Sequence, residues 1–352
     1  MPSLRGGGGT LTFAVWLNAS MRDWSTMPKA ELHLHLEGAI PVPTLWELIE
    51  HHGGDPVIKN PKQLADFYIF RDFAHFMETW AWMNTFLRTY DDFEFAAEAV
   101  ARHLVEQSIV YVEAFFSPSD FRRHNLTRQG IALAIRAGLD KVPEVEVPLI
   151  VDLVRDRGPE GTAATFDAIN EVATDAGVIG IGIGGFEAEH PPDLFAGVYR
   201  KAREAGFRLT AHAGEADGPA SVWGAIQSLG VERIGHGVRS AEDPALVEYL
   251  VEHQLPLEVC PTSNIRTGVV ADWESHPART LIEAGALVTI NTDDPAMFHS
   301  SLAGEFRVLE EIFGLDEQAI KKISLAPVQA SFASPDTKRK LHDQITAWWQ
   351  TP

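Results

Sequence analysis

The sequence predicts an α/β fold, a (β/α)₈ TIM barrel with a helical insertion after the first strand. Three observations lead to this prediction. Eight short β-rich runs recur along the chain, amphipathic helical patterns fill most of the intervals between them, and 352 residues suffice for one barrel. Strands that alternate with helices pair in parallel, because each crossover needs a connection such as a helix. Eight such units favour a barrel over the alternative, an open doubly wound sheet.

The predicted strands are residues 31–38, 109–118, 145–154, 177–185, 208–215, 233–237, 256–264 and 286–295. In the first strand, Leu32, Leu34 and Leu36 alternate with ionisable residues. Side chains on a strand point to opposite faces with a period of two. The leucines therefore lie on one face and the ionisable residues on the other.

Helical patterns follow most strands, and two examples are residues 219–230 and 276–285. The longest interval, between the first and second strands, is rich in aromatic residues such as Phe73, Phe76 and Trp80. We expect these residues to form the cores of additional helices, part of which covers the barrel mouth as an apolar lid.

Composition excludes several classes of protein. The net charge is −20 and no run rich in lysine or arginine occurs, so we expect no nucleic-acid partner. The single cysteine, Cys260, rules out an internal disulfide and indicates a reducing compartment, the cytoplasm. No apolar run approaches the roughly 18 residues that a membrane span needs. No sequence feature sets the oligomeric state.

Residues 1–26 differ in composition from the rest of the chain. They contain a glycine run and a short apolar patch, which is a poor match to a signal peptide. We expect a disordered N-terminal extension, or an upstream start codon used in place of Met27. The remaining residues, 27–352, are expected to form one barrel domain.

Histidines and carboxylates collect at predicted strand ends, where barrel enzymes place their active sites. Four of the eight strands end in this way, the first with His33, His35 and Glu37, the fifth with His212 and Glu215, the sixth with His236, and the eighth with Asp293 and Asp294. This joint placement predicts a polar catalytic site at the barrel mouth.

Three histidines and one carboxylate form a zinc-type ligand set that leaves a position for water. His33, His35, His212 and Asp293 supply it. Bound zinc lowers the pKa of a water molecule to about 7. The fourth strand has no lysine or carboxylate to bridge a second metal, so we expect one Zn²⁺. The same ligand types also accept other divalent metals.

Three further residues can act on a substrate. His236 can activate the water, and Glu215 can donate a proton if the site raises its pKa. Asp294 can accept a hydrogen bond from the water or the substrate. Each residue can instead orient a ligand. The pattern favours catalysis for His236 and Glu215, and both roles stay open for Asp294.

Five segments together resemble one known family. They are PKAELHLHLEG (28–38), TAHAGE (210–215), ERIGHGV (232–238), CPTSN (260–264) and TINTDDP (289–295). In this order and spacing they resemble the adenosine deaminase family of the amidohydrolase superfamily, over about residues 27–345. The resemblance implies a (β/α)₈ barrel, one zinc ion on the four ligands above, and hydrolytic deamination of a 6-aminopurine to a 6-oxopurine and ammonia.

The resemblance also implies roles for individual residues. Glu215 matches the proton donor to the ring nitrogen N1, while His236 and Asp294 match the residues that handle the attacking water. Asp294 also matches a contact to N7, and Gly185 matches a backbone contact to the purine. We expect the substrate to contact His35, Glu37, Gly185 and Asp294.

Two departures from the family pattern leave the substrate open. Adenosine deaminases usually carry aspartate where this chain has Glu37, and Ala-Gly-Asp-Glu where it has Gly-Gly-Phe-Glu at 184–187. Glu37 and the Pro-Pro at 191–192 also resemble adenine deaminases. LADFYIFRDFAHF (64–76) is similar to actinobacterial relatives, some of which deaminate 6-aminodeoxyfutalosine, an adenosine with a benzoate-bearing 5′ extension.

The candidate substrates are therefore adenosine or a 5′-modified adenosine, with 6-aminodeoxyfutalosine and adenine as alternatives. A more remote alternative is another metal-dependent amidohydrolase reaction. A binding protein without activity is disfavoured, because every catalytic position of the pattern is filled.

Overall fold

Eight parallel strands form the centre of the molecule in a computed structural model that describes residues 22–351. The strands are β1 (Lys29–His35), β2 (Ile109–Phe116), β3 (Leu149–Asp152), β4 (Val178–Gly182), β5 (Arg208–Ala213), β6 (Arg233–His236), β7 (Leu257–Val259) and β8 (Val288–Ile290). All eight predicted strands are present.

The strands follow one another around the sheet in sequence order, from β1 to β8. A parallel bridge between Leu34 and Asp293 then joins the segment after β8 back to β1. The amide of His35 donates to the carbonyl of Asp293 at 2.8 Å, and the amide of Asp293 donates to the carbonyl of His33 at 3.1 Å. The predicted (β/α)₈ barrel is thereby confirmed.

The helices are α1 (Val42–His51), α2 (Pro61–Phe67), α3 (Phe73–Met83), α4 (Tyr90–Glu106), α5 (Arg128–Leu139), α6 (Gly158–Asn170), α7 (Ala173–Ala176), α8 (Ala196–Glu204), α9 (Pro219–Gly224), α10 (Pro244–His253), α11 (Pro261–Arg266), α12 (Ala278–Ala284), α13 (Pro295–Phe298), α14 (Leu302–Arg307), α15 (Glu317–Ala330) and α16 (Pro335–Gln350). Among the described residues, none of the helices is long and apolar enough to cross a membrane.

The predicted helical insertion after the first strand is formed by α1 to α4. Polar side chains start three of these helices by accepting a hydrogen bond from a backbone amide that the helix leaves unpaired. Asn60 caps α2, Asp72 caps α3, and Thr89 caps α4 in a capping box with Asp92.

All eight strands are shorter in the structure than predicted, and the differences are large in β3 and β7. β3 ends at Asp152 rather than at residue 154, and β7 ends at Val259 rather than at residue 264. After β7 the chain turns into α11, whose first residue is Pro261. Proline suits the first position of a helix because its missing amide proton would be unpaired there in any case.

The alternation in β1 separates two environments, although all seven of its residues are buried. Leu34 belongs to the large hydrophobic cluster of the molecule, and Leu32 packs in a smaller cluster with Tyr111 and Leu341. His33 and His35 point the other way and contact the ring of Phe115 inside the barrel. The predicted division of β1 into a leucine face and a histidine face is confirmed.

The predicted N-terminal extension lies outside the described residues up to residue 21. Residues 22–26 pack beside α14 and α16. The ring of Trp24 is 2% exposed, stacks on Phe306 at a centroid distance of 5.7 Å and contacts Trp349. Its indole Nε1 donates to Glu310 at 2.9 Å.

Candidate active site

The four predicted metal ligands converge at the C-terminal ends of β1, β5 and β8. His35 Nε2 lies 3.1 Å from His212 Nε2 and 3.3 Å from Asp293 Oδ1. His33 Nε2 lies 3.4 Å from the same Asp293 oxygen. All four residues are buried, and their possible ligand atoms lie within 4.8 Å of one another. The arrangement is a candidate metal site.

The donor atoms fit one divalent ion. Ligands bound at about 2.0–2.1 Å in a tetrahedron are about 3.3–3.4 Å apart, close to the observed separations. His33 Nε2 is buried and has no hydrogen-bond partner among the described residues. A buried polar atom without a partner is costly, so an ion at this point would satisfy it.

A chain of buried charges supports the ligand His33. Its Nδ1 lies 2.8 Å from Glu258 Oε2, and donation from Nδ1–H to this carboxylate would leave Nε2 to bind the ion. Arg233 donates to Glu258 through Nε and to Glu113 through Nη1, both at 2.5 Å. Burial raises the pKa of Glu258, but Arg233 and His33 outweigh it and hold this pKa below its usual value.

Asp293 is held from two sides. Its Oδ2 accepts a hydrogen bond from Ser263 Oγ at 2.6 Å. Its backbone has a φ of +66°, and His236 has a φ of +58°. Residues other than glycine rarely adopt this left-handed region, and such strain is concentrated at functional sites. The surrounding strands therefore hold both side chains in orientations that a relaxed backbone would not favour.

The three predicted catalytic residues lie next to the ligand cluster. His236 Nε2 is 3.7 Å from Glu215 Oε2 and 4.0 Å from Asp293 Oδ2. On the other side of the ring, the amide Nδ2 of Asn264 lies 3.2 Å from His236 Nδ1. Burial lowers the pKa of His236 to about 3, so the ring is neutral. A neutral ring that accepts at Nδ1 carries its proton on Nε2 and faces the site as a donor.

Burial shifts the pKa of the carboxyl groups in the site. It raises the pKa of Glu215 well above the usual value, and the charges of Asp293 and Glu187 add to this. It also raises the pKa of Asp294, with a further contribution from Asp293. A carboxyl that stays protonated near neutral pH can donate a proton. Glu215 therefore meets the electrostatic requirement for the role predicted from the sequence.

Gly38 makes room for Asp294. A Cβ atom placed on Gly38 would lie 1.7 Å from Asp294 Oδ1, so only glycine lets the chain after β1 pass this carboxylate. Gly38 was not among the site residues predicted from the sequence. Its position in the sequence could have identified it, because it directly follows Glu37 in the segment that carries the predicted ligands His33 and His35.

A cavity opens above the ligand cluster. Its lower wall contains His35, His212, Glu215, His236, Asp293 and Asp294, and its upper wall contains Phe73, Phe76, Met77 and Trp80 of α3. Part of the insertion thus covers the barrel mouth, as expected. Gly184 and Gly185 also line the cavity, and Gly185 has a φ of +101°.

Glu37 lies beside the residues that line the cavity and is not among them. It is 4% exposed, and its Oε1 accepts a hydrogen bond from the amide of Ser117 at 2.8 Å. Burial raises its pKa to about 7. The residues that line the cavity on this side are Ser117, Asp120 and Asp152 rather than Glu37. A direct contact between Glu37 and a substrate stays a prediction.

Asp152 was not among the site residues predicted from the sequence. Its Oδ1 accepts from the amide of Gly184 at 2.7 Å, and its Oδ2 accepts from Ser117 Oγ at 3.1 Å. Burial raises the pKa of Asp152 to about 6. Asp152 is the last residue of β3, so the rule that located the other site residues applies to it as well.

The model of the adenosine deaminase family matches residues 28–348 of the chain. The chain belongs to the adenosine deaminase family. Aminodeoxyfutalosine deaminase of Streptomyces avermitilis is 36% identical over 334 residues, which cover 93% of this chain and 93% of the relative. Adenosine deaminase of Shewanella denitrificans is 33% identical over 325 residues, covering 90% of this chain and 98% of the relative.

Two solved structures superpose closely on the chain. The adenine deaminase of Arthrobacter aurescens superposes with a TM-score of 0.86 at 30% identity, covering 92% of this chain and 100% of that chain. An amidohydrolase from Burkholderia ambifaria with bound Zn superposes with a TM-score of 0.86 at 25% identity, covering 96% of both chains. As a member of the adenosine deaminase family, the protein is a hydrolase that acts on C–N bonds and deaminates an aminopurine.

Proposed function

We propose that the protein deaminates a 6-aminopurine nucleoside, adenosine or a 5′-modified adenosine, with one Zn²⁺ held by His33, His35, His212 and Asp293. The observation that carries the proposal is the placement of the buried Glu215 carboxyl, whose pKa the site raises, beside the ligand cluster in one cavity. Glu215 and all the ligands but His33 line that cavity, and Gly185 lines it too. A proton donor and a metal site are the two groups that hydrolysis at C6 of a purine needs.

Zinc in this site supplies a Lewis acid that makes a water molecule nucleophilic near neutral pH. The protein's own side chains do the rest. His236 donates a hydrogen bond to the attacking water through Nε2, and Asp294 accepts one. Both groups thereby set the direction from which the water oxygen approaches C6.

Glu215 protonates the ring nitrogen N1 as the oxygen adds to C6. The purine then has a tetrahedral carbon that carries both the oxygen and the amino group. One proton of the attacking water passes to the amino group, the C6–N bond breaks and ammonia leaves. The other proton is released from the oxygen as the C6=O bond forms and restores the Glu215 carboxyl, and a 6-oxopurine remains. His236 stabilises the negative charge that develops on the oxygen, because its donor is already oriented in a site with little water.

Two features support a nucleoside rather than a free base. The cavity continues from the ligand cluster to Ser117, Asp120 and Asp152, whose oxygens can accept hydrogen bonds from sugar hydroxyls. Next to them, α3 adds the aromatic side chains Phe73, Phe76 and Trp80. A purine base alone would leave this part of the cavity unused.

The aromatic wall also favours a second candidate, aminodeoxyfutalosine. Its aryl extension could stack on rings such as those of Phe73 and Trp80. The relative from Streptomyces avermitilis with 36% identity has this deaminase activity in its name. We therefore include this nucleoside in the test of function.

The test measures ammonia release by the zinc-loaded protein with adenosine, aminodeoxyfutalosine and adenine side by side. We expect kcat/KM to be highest for one of the two nucleosides. Glu215→Gln is the control, since it keeps the shape of the side chain and loses the proton donor. A preference for adenine would contradict the assignment to a nucleoside, and no release from any substrate would contradict the proposed function.

A further inference from the structure

The loop after β5 is built around a carboxylate from another loop. Glu187 Oε1 accepts a hydrogen bond from the amide of Gly214 at 2.6 Å. Its Oε2 accepts from the amides of the next three residues, at 3.1 Å from Glu215, 2.9 Å from Ala216 and 3.0 Å from Asp217. One side chain therefore satisfies four consecutive backbone N–H groups.

The backbone of this loop is shaped to bind an anion. Gly214 has a φ of +69°, and a Cβ atom there would lie 2.5 Å from Val222 Cγ2. Only glycine fits this turn, which aims the following amides at one point. Consecutive amides arranged in this way form a concave anion-binding nest. Here the anion is Glu187 itself, which is 2% exposed.

Hydrogen bonds from amides to a buried carboxylate are stronger than those between neutral groups. Four of them to one side chain hold the backbone of residues 214–217 in a single arrangement. Glu215 is the second residue of this loop, so the position of its Cα and the direction of its side chain depend on Glu187. Glu187 itself is not among the residues that line the cavity.

Glu187 also lies close to the part of the chain that faces the cavity. Gly185, two residues earlier, lines the cavity, and the ring of Phe186 contacts that of Phe73 at a centroid distance of 6.0 Å. Phe73 belongs to α3, which forms the upper wall. The same short segment therefore touches the cavity wall and holds the loop of the proton donor.

We propose that Glu187 is a positioning residue for the reaction, because its carboxylate anchors residues 214–217 and thereby aligns the carboxyl of Glu215 with the purine ring. The inference rests on the proposed function, in which Glu215 is the proton donor. It assigns to Glu187 a role that requires no contact with the substrate.

The first test compares Glu187→Gln with wild type. Glutamine replaces one of the two acceptor oxygens by an NH₂ group, which cannot accept hydrogen bonds from the backbone amides. The loop therefore loses some of the four hydrogen bonds that hold it. We expect zinc content and KM to stay near wild type and kcat to fall roughly 10- to 100-fold, the range for a small misplacement of a catalytic group. Amides 214–217 should exchange hydrogen faster. Glu189→Gln is the matched control, because Glu189 is exposed and two residues away.

A double variant separates alignment of Glu215 from general damage. In the Glu215→Gln background, Glu187→Gln should change kcat by less than about 3-fold, because the group that it aligns no longer donates a proton. A loss of kcat equal to that in wild type would overturn the proposal, and so would a wild-type kcat in the single variant. If Glu187→Gln does not fold, Glu187→Asp keeps the charge on a shorter side chain. An intermediate loss of kcat supports the proposal, and a wild-type kcat overturns it.

Hydrogen exchange keeps the test independent of the proposed function. If the wild-type protein releases no ammonia from any of the three purines, the proposed function fails and the aligning role fails with it. The anchoring of the loop is then decided by exchange alone. Faster exchange at residues 214–217 in Glu187→Gln supports anchoring, and unchanged exchange overturns it.

Discussion

Replacing Glu258 by glutamine should weaken zinc binding without removing any ligand. Glu258 accepts from His33 Nδ1 at 2.8 Å and from Arg233 Nε at 2.5 Å, and all three side chains are fully buried. Glutamine has only one carbonyl oxygen. If that oxygen keeps the hydrogen bond from Arg233 Nε, the NH₂ group of the glutamine faces His33 Nδ1. The imidazole must then accept at Nδ1 and carry its proton on Nε2, which is the atom that binds the ion.

The size of the effect follows from this change of tautomer. Zinc would have to displace a proton from Nε2, or His33 would have to leave a donor unpaired in the interior, which costs about 1–3 kcal/mol. Loss of such supporting partners typically costs about 10- to 100-fold in metal affinity, or about 1.4–2.7 kcal/mol. We expect the zinc dissociation constant of Glu258→Gln to rise within this range.

The assay is competition with a chromogenic chelator near neutral pH, and circular dichroism establishes that each variant is folded. Glu252→Gln is the control, because Glu252 is exposed on α10. Arg233 keeps its bond to Glu113 in the variant, which limits the loss of stability. A folded Glu258→Gln protein with the zinc affinity of wild type would refute the reasoning.

Three other predictions test separate parts of the structure. His212→Ala should lose zinc and activity together, as measured by metal analysis and ammonia release; activity that survives in metal-free protein would count against the ligand role. Gly38→Ala should lower kcat by roughly 100-fold with zinc retained, because the new Cβ displaces Asp294. Gly197→Ala, where a Cβ meets nothing within 4 Å, should behave as wild type. Burial raises the pKa of Glu305 from 4.5 to about 8, so the folded protein keeps a proton that the unfolded chain has released. Its stabilising contribution is therefore complete below about pH 4.5 and is lost as the pH rises to about 8, a change on the order of a few kcal/mol. Glu305→Gln should lack this loss of stability. The melting temperatures of both proteins are measured from pH 4.5 to about 8, and the same dependence on pH in both would contradict the role of Glu305.

The ligand cluster could be predicted from the sequence because it depends on short-range rules. The period of two in β1 puts His33 and His35 on one face, and the ends of parallel strands meet at one side of a barrel. These two rules suffice to bring His212 and Asp293 to the same place. No contact between distant side chains had to be known in advance.

The supporting residues could not be predicted, for two different reasons. Glu258 lies within β7, and nothing in its local sequence identifies His33 as its partner. Asp152 and Asn264 lie at or near predicted strand ends, as the selected residues do. No histidine stands beside either of them in the sequence, so neither segment showed a metal or catalytic pattern.

The same distinction explains why the reaction is easier to assign than the substrate. The groups proposed to act on the aminopurine are held by the ends of the strands, by burial, and by the strained backbone of His236 and Asp293. The far wall of the cavity is instead made by the segments after β2 and β3 and by α3. The barrel fold does not determine the conformation of these segments. Glu37 illustrates the difference, since its acid group holds the amide of Ser117 while Ser117 and Asp152 face the cavity. Substrate choice therefore depends on how these segments pack, and substitutions at Asp152 or Trp80 should change the preference among purines more than they change the metal site.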